Sequence, residues 1–246
     1  MSRPRRASLF VTCLVDLFLP EVGEAIAAVL ARAGIRLDCP PHQTCCGLPL
    51  FNNGYREEAR RVYEAAARRF PGEEPVLVPS GSCAWMLRVA APELYPPGSP
   101  GGAAAAGFAL RTFEFSEFFG EVLGYPDLGI TGSGRATYHA SCHLLRGLRV
   151  ADPPLQILHR VRGMEFVPLD EEEECCGFGG TFAVKMGAVS TAVMGKKLES
   201  IAKSGAGILT ACDAGCLIHL QGGLARAKSP VHPIHLAQLM AEGLPR

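Results

Sequence analysis

The sequence predicts two tandem α/β lobes with mostly parallel sheets, each carrying a Cys-Cys-Gly motif. Three observations predict this. First, one order of thiols occurs twice: Cys13, Cys45-Cys46-Gly47 and Cys83, then Cys142, Cys175-Cys176-Gly177 and Cys216. Cys142 follows Cys13 by 129 positions, Cys175 follows Cys45 by 130 and Cys216 follows Cys83 by 133, the mark of an internal duplication. Second, short β-rich runs alternate with stretches of helical periodicity, as in parallel sheets covered by helices. Third, 48% of the 246 residues are apolar, enough for a sizeable core and against disorder.

Leu9–Cys13 reads as a first strand. Glu21–Ala33 has apolar positions at helical spacing, with Gly34 as its stop. Glu57–Phe70 reads as an amphipathic helix with an arginine-rich outer face, ended by Pro71, and Val76–Val78 as a buried strand. Ala91–Gly107 holds four prolines, four glycines and an alanine run, the composition of a linker. In the second half, Ala136–His139, Glu165–Val167 and Ile208–Thr210 are the expected strands. Leu155–Val161 and Phe182–Lys203 are the expected helices. Thr112–Phe119 and Pro233–Met240 resemble one another and read as short helix starts near the end of each half. The lobes are therefore expected at residues 1–107, linker included, and 108–246, with an alternative junction near 125.

Charge and length exclude several classes. The 24 basic and 24 acidic residues cancel, which argues against a nucleic-acid partner. No apolar run reaches the roughly 20 residues needed for a transmembrane segment. Arg3, Arg5 and Arg6 before Leu9–Val15 mimic a signal peptide. The run is short, Asp16 interrupts it and no small-x-small cleavage site follows, so it reads as a strand after a basic tail. The expected compartment is the cytoplasm, where ten cysteines point to metal or redox chemistry rather than to disulfides.

Thiolates select iron–sulfur clusters, zinc or copper(I). Cys13 and Cys142 are expected at the carboxyl ends of strands, and Cys83 and Cys216 at helix starts after strands. Ligands collect at that edge of an open α/β sheet. Gly47 and Gly177-Phe178-Gly179-Gly180 would let backbone N–H groups approach sulfur, and a helix beginning near Thr181 would turn its positive end to an anionic cluster. Cys39, outside the repeat, reads as a buried apolar residue. Vicinal cysteines more than thirty residues from their partners do not resemble C-x₂₋₄-C zinc pairs, yet zinc stays open. The segment Gly177-x-Gly-Gly lacks the spacing of a dinucleotide fingerprint.

The doubled pattern of Cys, 31–39 residues, Cys-Cys-Gly, about 35 residues and Cys resembles the cysteine-rich CCG domain, which the heterodisulfide reductases and the glycolate oxidase iron–sulfur protein also carry. The segments Tyr138-His139-Ala140-Ser141-Cys142-His143, Cys175–Phe182 and Gly215-Cys216-Leu217-Ile218-His219 resemble the lactate-utilisation protein A family. That resemblance covers nearly the whole chain. It implies an iron–sulfur electron-transfer component of a three-protein system oxidising L-lactate to pyruvate, an oxidoreductase subunit with partner proteins. One [4Fe–4S] cluster per half is expected, on Cys13, Cys45, Cys46 and Cys83, and on Cys142, Cys175, Cys176 and Cys216, with Cys212 as an extra ligand. The chain departs from the pattern at Cys83-x-x-Met86, at Cys212-x-x-x-Cys216 and at Cys216-x-x-His219. A five-cysteine non-cubane cluster is therefore not expected in the first half. The alternative functions are a thiol–disulfide or heterodisulfide reductase, which calls for an open groove near Cys176, and a zinc-binding structural protein. His139, His143 and His219 are candidate proton or hydrogen-bond donors. Arg146 and Lys185 are candidate carboxylate-binding residues for L-lactate. The Glu171–Glu174 run is an expected solvated loop or a docking face for a basic partner.

Overall fold

The computed structural model describes residues 3–245. The first lobe runs β1 (Arg6–Leu9), α1 (Cys13–Phe18), α2 (Pro20–Arg32), β2 (Arg36–Asp38), α3 (Leu48–Asn52), α4 (Arg56–Ala67), β3 (Val76–Val78), α5 (Gly81–Trp85), α6 (Pro100–Leu110), β4 (Thr112–Glu114) and α7 (Phe115–Glu117). The second runs β5 (Thr131–His139), α8 (Asp152–His159), β6 (Arg162–Phe166), α9 (Thr181–Lys185), α10 (Gly187–Ser204), β7 (Ile208–Ala211), α11 (Ala214–Arg226), β8 (His232–His235) and α12 (Leu236–Glu242). Each lobe has a four-stranded sheet, ordered β2-β1-β3-β4 and β6-β5-β7-β8, with every pairing parallel. The register repeats as well: Ser8 faces Val76 and its counterpart Thr137 faces Leu209. The predicted tandem α/β architecture stands.

Several boundaries differ, each for a physical reason. The first strand stops at Leu9. Thr12 takes a left-handed φ of 68° and turns the chain, so Cys13 opens α1 instead of closing a strand. The supposed linker is largely helical. Pro100 sits in the first turn of α6, where no backbone N–H is needed, and the Ser99 hydroxyl accepts from the Gly102 N–H at 3.2 Å. Gly101 lies so close to Tyr95 that a Cβ there would meet the ring at 2.7 Å. The prolines and glycines thus punctuate and pack a helix whose body is the alanine run. The expected helix Phe182–Lys203 breaks at Met186 into α9 and α10.

Thr112–Phe119 and Pro233–Met240 each contain a sheet-edge strand and then a helix closed by a capping box on Glu114 or His235. Since β4 pairs with β3, a junction at 107/108 would detach a strand from its own sheet. A junction near 125 leaves both sheets whole.

The lobes do not pack independently. Helix α12 of the second lobe lies on α2 of the first, and α7 with the π-helical turn Phe118–Val122 lies on α8. One continuous apolar core includes Phe10, Phe115, Leu144, Ile234 and Met240. His235 secures this exchange. Its Nδ1 accepts from the Ala237 N–H at 3.1 Å, so its Nε2 carries the proton, donated to the Pro79 carbonyl of the first lobe at 3.0 Å.

Burial holds the His235 imidazole down to about 4, against an ordinary 6.5. A depressed pKa means stability that is full above pH 6.5 and lost as pH falls towards 4. His235→Phe is expected to cost about 2–3 kcal/mol at pH 7 by urea unfolding. The difference from the native chain should shrink at pH 4.5; a constant difference would rule out neutral imidazole as its source.

Candidate metal centres

Each centre is assembled at the carboxyl edge of its sheet. In the first lobe, the connection after β1 supplies Cys13 and the loop after β2 supplies Cys45 and Cys46. Cys83 lies in α5, immediately after β3. In the second, the same places hold Cys142, Cys175 and Cys176, and Cys216 in α11. A parallel sheet thus brings donors 70 and more positions apart to one edge.

All ten cysteines are unbridged. In the first lobe the Sγ atoms of Cys13 and Cys45 lie 3.9 Å apart and those of Cys46 and Cys83 3.3 Å apart. In the second, Cys176 and Cys216 lie 3.0 Å apart, and Cys142 is placed against Cys175. A disulfide holds sulfurs at about 2.05 Å, so these are separate thiols gathered by the fold.

The electrostatics repeat too. Hydrogen bonding from Cys13, then from Cys46, pulls the Cys45 thiol far below its ordinary value. Cys142 and Cys176 do the same for Cys175. Backbone amides add to this: the Gly47 N–H points to Cys45 Sγ at 3.5 Å, the Gly177 N–H to Cys175 Sγ at 3.3 Å and the Phe178 N–H to Cys176 Sγ at 3.5 Å. Both motif glycines adopt left-handed backbone, with φ of 94° at Gly47 and 88° at Gly177. A Cβ at Gly177 would lie 2.5 Å from the Ser190 carbonyl oxygen, so glycine is required for α10 to close over the loop.

Buried polar atoms without partners mark the same places. Among the described residues, Thr12 Oγ1, Ser141 Oγ and both ring nitrogens of His139 are buried and unpartnered. Thr12 and Ser141 occupy equivalent positions, one residue before Cys13 and Cys142. Buried donors normally find partners, so orphans beside converging thiols fit a group seated there. The donor sets are those of a soft-metal centre in each lobe. The eight repeated cysteines would hold that metal as thiolates.

The two centres meet across the lobe junction. Asn53, at the end of the first lobe's motif helix, donates from Nδ2 to Thr181 Oγ1 at 2.7 Å and accepts from Lys185 Nζ at 3.0 Å. Trp85 lies against His143 with ring centroids 4.9 Å apart. Asp213 joins the cysteine-bearing helices: its carboxylate caps α11 through the Cys216 N–H at 3.2 Å. It also accepts from the Ser82 N–H at 2.8 Å and the Ser80 hydroxyl at 3.0 Å. This residue gives no signal in the sequence beyond an N-cap aspartate.

Not every expected residue joins a centre. Cys212 is buried at the lobe interface, where its thiol meets Tyr138 and Ser116 and its carbonyl accepts from the Gly81 N–H at 3.0 Å. Met86, standing where the repeat pattern has a further cysteine, is buried with its terminal methyl packed close to Gly47. Cys39 is exposed rather than buried. His219 shares a hydrogen bond with Ser190. Arg146 is paired with Glu173 and Lys185 is held by Asn53. The Glu171–Glu174 stretch forms a turn whose carbonyls accept from the buried Lys197. Cys176 is only 2% exposed, so the open groove expected near it for a disulfide reductase is absent.

A profile of the cysteine-rich domain (CCG) matches residues 7–88 and again 136–221. Lactate utilization protein A of Geobacillus kaustophilus is 43% identical over 235 residues, covering 96% of this chain and 98% of the relative.

The chain belongs to the lactate utilization protein A family.

Its likeness extends to members from Bacillus licheniformis, 38% identical over 96% of this chain and 98% of the relative, and Bacillus cereus, 37% identical over 97% and 99%. Among solved structures, a hypothetical protein from Helicobacter pylori aligns with a TM-score of 0.65 at 12% identity. That match covers all of this chain and 50% of the other, and it describes the fold alone. No helix among the described residues is long and apolar enough to cross a membrane.

Proposed function

We propose that the chain is an iron–sulfur electron-transfer component of an L-lactate oxidation system. In this reading Cys13, Cys45, Cys46 and Cys83 hold one [4Fe–4S] cluster, and Cys142, Cys175, Cys176 and Cys216 hold another. Bound there, each cluster supplies one-electron chemistry. The chain's own part is to supply the thiolates, to aim the Gly47, Gly177 and Phe178 amides at them, and to keep water from Cys46 and Cys176.

The observation that carries this reading is the twofold gathering of four thiols at the edge of a parallel sheet. Relatives named for lactate utilization supply the pathway. With Arg146 paired to Glu173, substrate oxidation belongs to partner proteins that pass electrons to this chain.

Anaerobic purification followed by iron and sulfide analysis tests the reading. About eight irons and eight sulfides per chain are expected, and fewer than about two irons would reject it. A second reading, a mononuclear zinc in each lobe, is favoured by the Sγ separations of 3.0–3.9 Å. Thiolates sharing one tetrahedral metal lie about 3.8 Å apart. Colourless protein with stoichiometric zinc would select it.

A further inference from the structure

The two centres differ at one position. Three residues before Cys142, at the end of β5, stands His139. Three residues before Cys13 stands Phe10. Phe10 is fully buried and stacks on Phe70, with centroids 5.6 Å apart. An apolar ring therefore satisfies the fold at this place, and the second lobe has a histidine where packing alone does not call for one.

His139 is 1% exposed, and neither ring nitrogen has a hydrogen-bond partner among the described residues. The contrast with His235 is direct: that histidine is equally buried, yet both of its nitrogens are satisfied. Leaving two imidazole nitrogens unpaired in a core costs several kcal/mol unless another group meets them. A ligand nitrogen of His139 lies with Cys176 Sγ and Cys216 Sγ in a set whose atoms are all within 4.8 Å of one another, the one such group among the described residues. A nitrogen and a sulfur on one tetrahedral metal lie about 3.5 Å apart, so small side-chain adjustments suffice.

We propose that His139 is a nitrogen ligand of the second centre, which makes that centre a thiolate–imidazole site while the first remains all-thiolate. This rests on the reading that the cysteine sets hold metal. Imidazole carries no charge where a thiolate carries one, and histidine ligation raises the potential of iron–sulfur centres. The second centre is then the more readily reduced of the two. An electron entering at the first leaves it oxidised and reduces the second, so the chain has a direction.

Pulsed EPR on the anaerobically isolated, partly reduced chain tests this, with a second sample labelled with ¹⁵N-histidine. A strongly coupled nitrogen is expected, changing with the label and lost in His139→Phe, which installs the first lobe's residue. The first centre's signal should be unaltered. A metal-loaded second centre without such a nitrogen, or one that keeps it in His139→Phe, overturns the proposal.

If His139→Phe fails to fold, His139→Cys serves instead: it is expected to retain metal, lose the nitrogen coupling and shift the second centre to lower potential. Iron absent from both centres defeats the iron–sulfur reading rather than this one. If zinc replaces it, X-ray absorption at the zinc edge must detect a nitrogen scatterer that His139→Cys removes. A chain that binds neither metal overturns both.

Discussion

Cys46→Ser is expected to empty the first centre and leave the second filled, so that iron per chain falls to about half. Cys46 is 1% exposed and its Sγ lies 3.3 Å from that of Cys83. A hydroxyl is a poor ligand for a soft metal, and a serine there leaves a buried polar atom facing the three remaining thiols. The second set is drawn from different strands and should keep its own spectrum.

Two controls sharpen the experiment. Cys212→Ser should retain full iron, because that thiol meets Tyr138 and Ser116 instead of a centre. Cys39→Ser should do the same, since Cys39 is exposed beside Gln43. Loss of iron from both lobes on Cys46→Ser, or full iron with Cys46→Ser and half with Cys212→Ser, would contradict the assignment of ligands.

Asp213→Ala is expected to destabilise the chain by about 3–5 kcal/mol and to lower metal content in both lobes together. The carboxylate is 3% exposed and accepts from three donors: the Cys216 N–H, the Ser82 N–H and the Ser80 hydroxyl. Truncation strands all three, each at about 1–3 kcal/mol where buried. Ser82 adjoins Cys83, so the same change loosens one donor in each centre. Asp213→Asn keeps one acceptor oxygen and should lose less. The measurements are urea unfolding at pH 7 and metal analysis of the soluble fraction. Unchanged stability with Asp213→Ala, or metal lost from one lobe alone, would show that the aspartate does not join the two centres.

Much of this molecule is legible in its sequence because duplication is. Thr12-Cys13 and Ser141-Cys142, the two Cys-Cys-Gly loops and the Cys83 and Cys216 helix starts all recur in order, and strand-length runs between them announce parallel sheets. Element ends were less legible. Ala91–Gly107 reads as a linker because proline and glycine mark both loops and helix starts, and only the contact of Gly101 with Tyr95 separates the two meanings. β4 and β8 are too short to carry a period, and their pairing with β3 and β7 makes them strands.

From the sequence alone follow the two lobes, the eight repeated thiols and the sheet edge on which they lie, since spacing and periodicity are properties of the chain itself. Tertiary structure decided membership. It turned Cys212 into the interface, set His139 against Cys176 and Cys216, and drew Asp213 between two helices of different lobes. The physical reason is that a side chain's neighbours depend on how strands register and helices cross. Residues with the same motif context can face a metal or a core, and only packing distinguishes them.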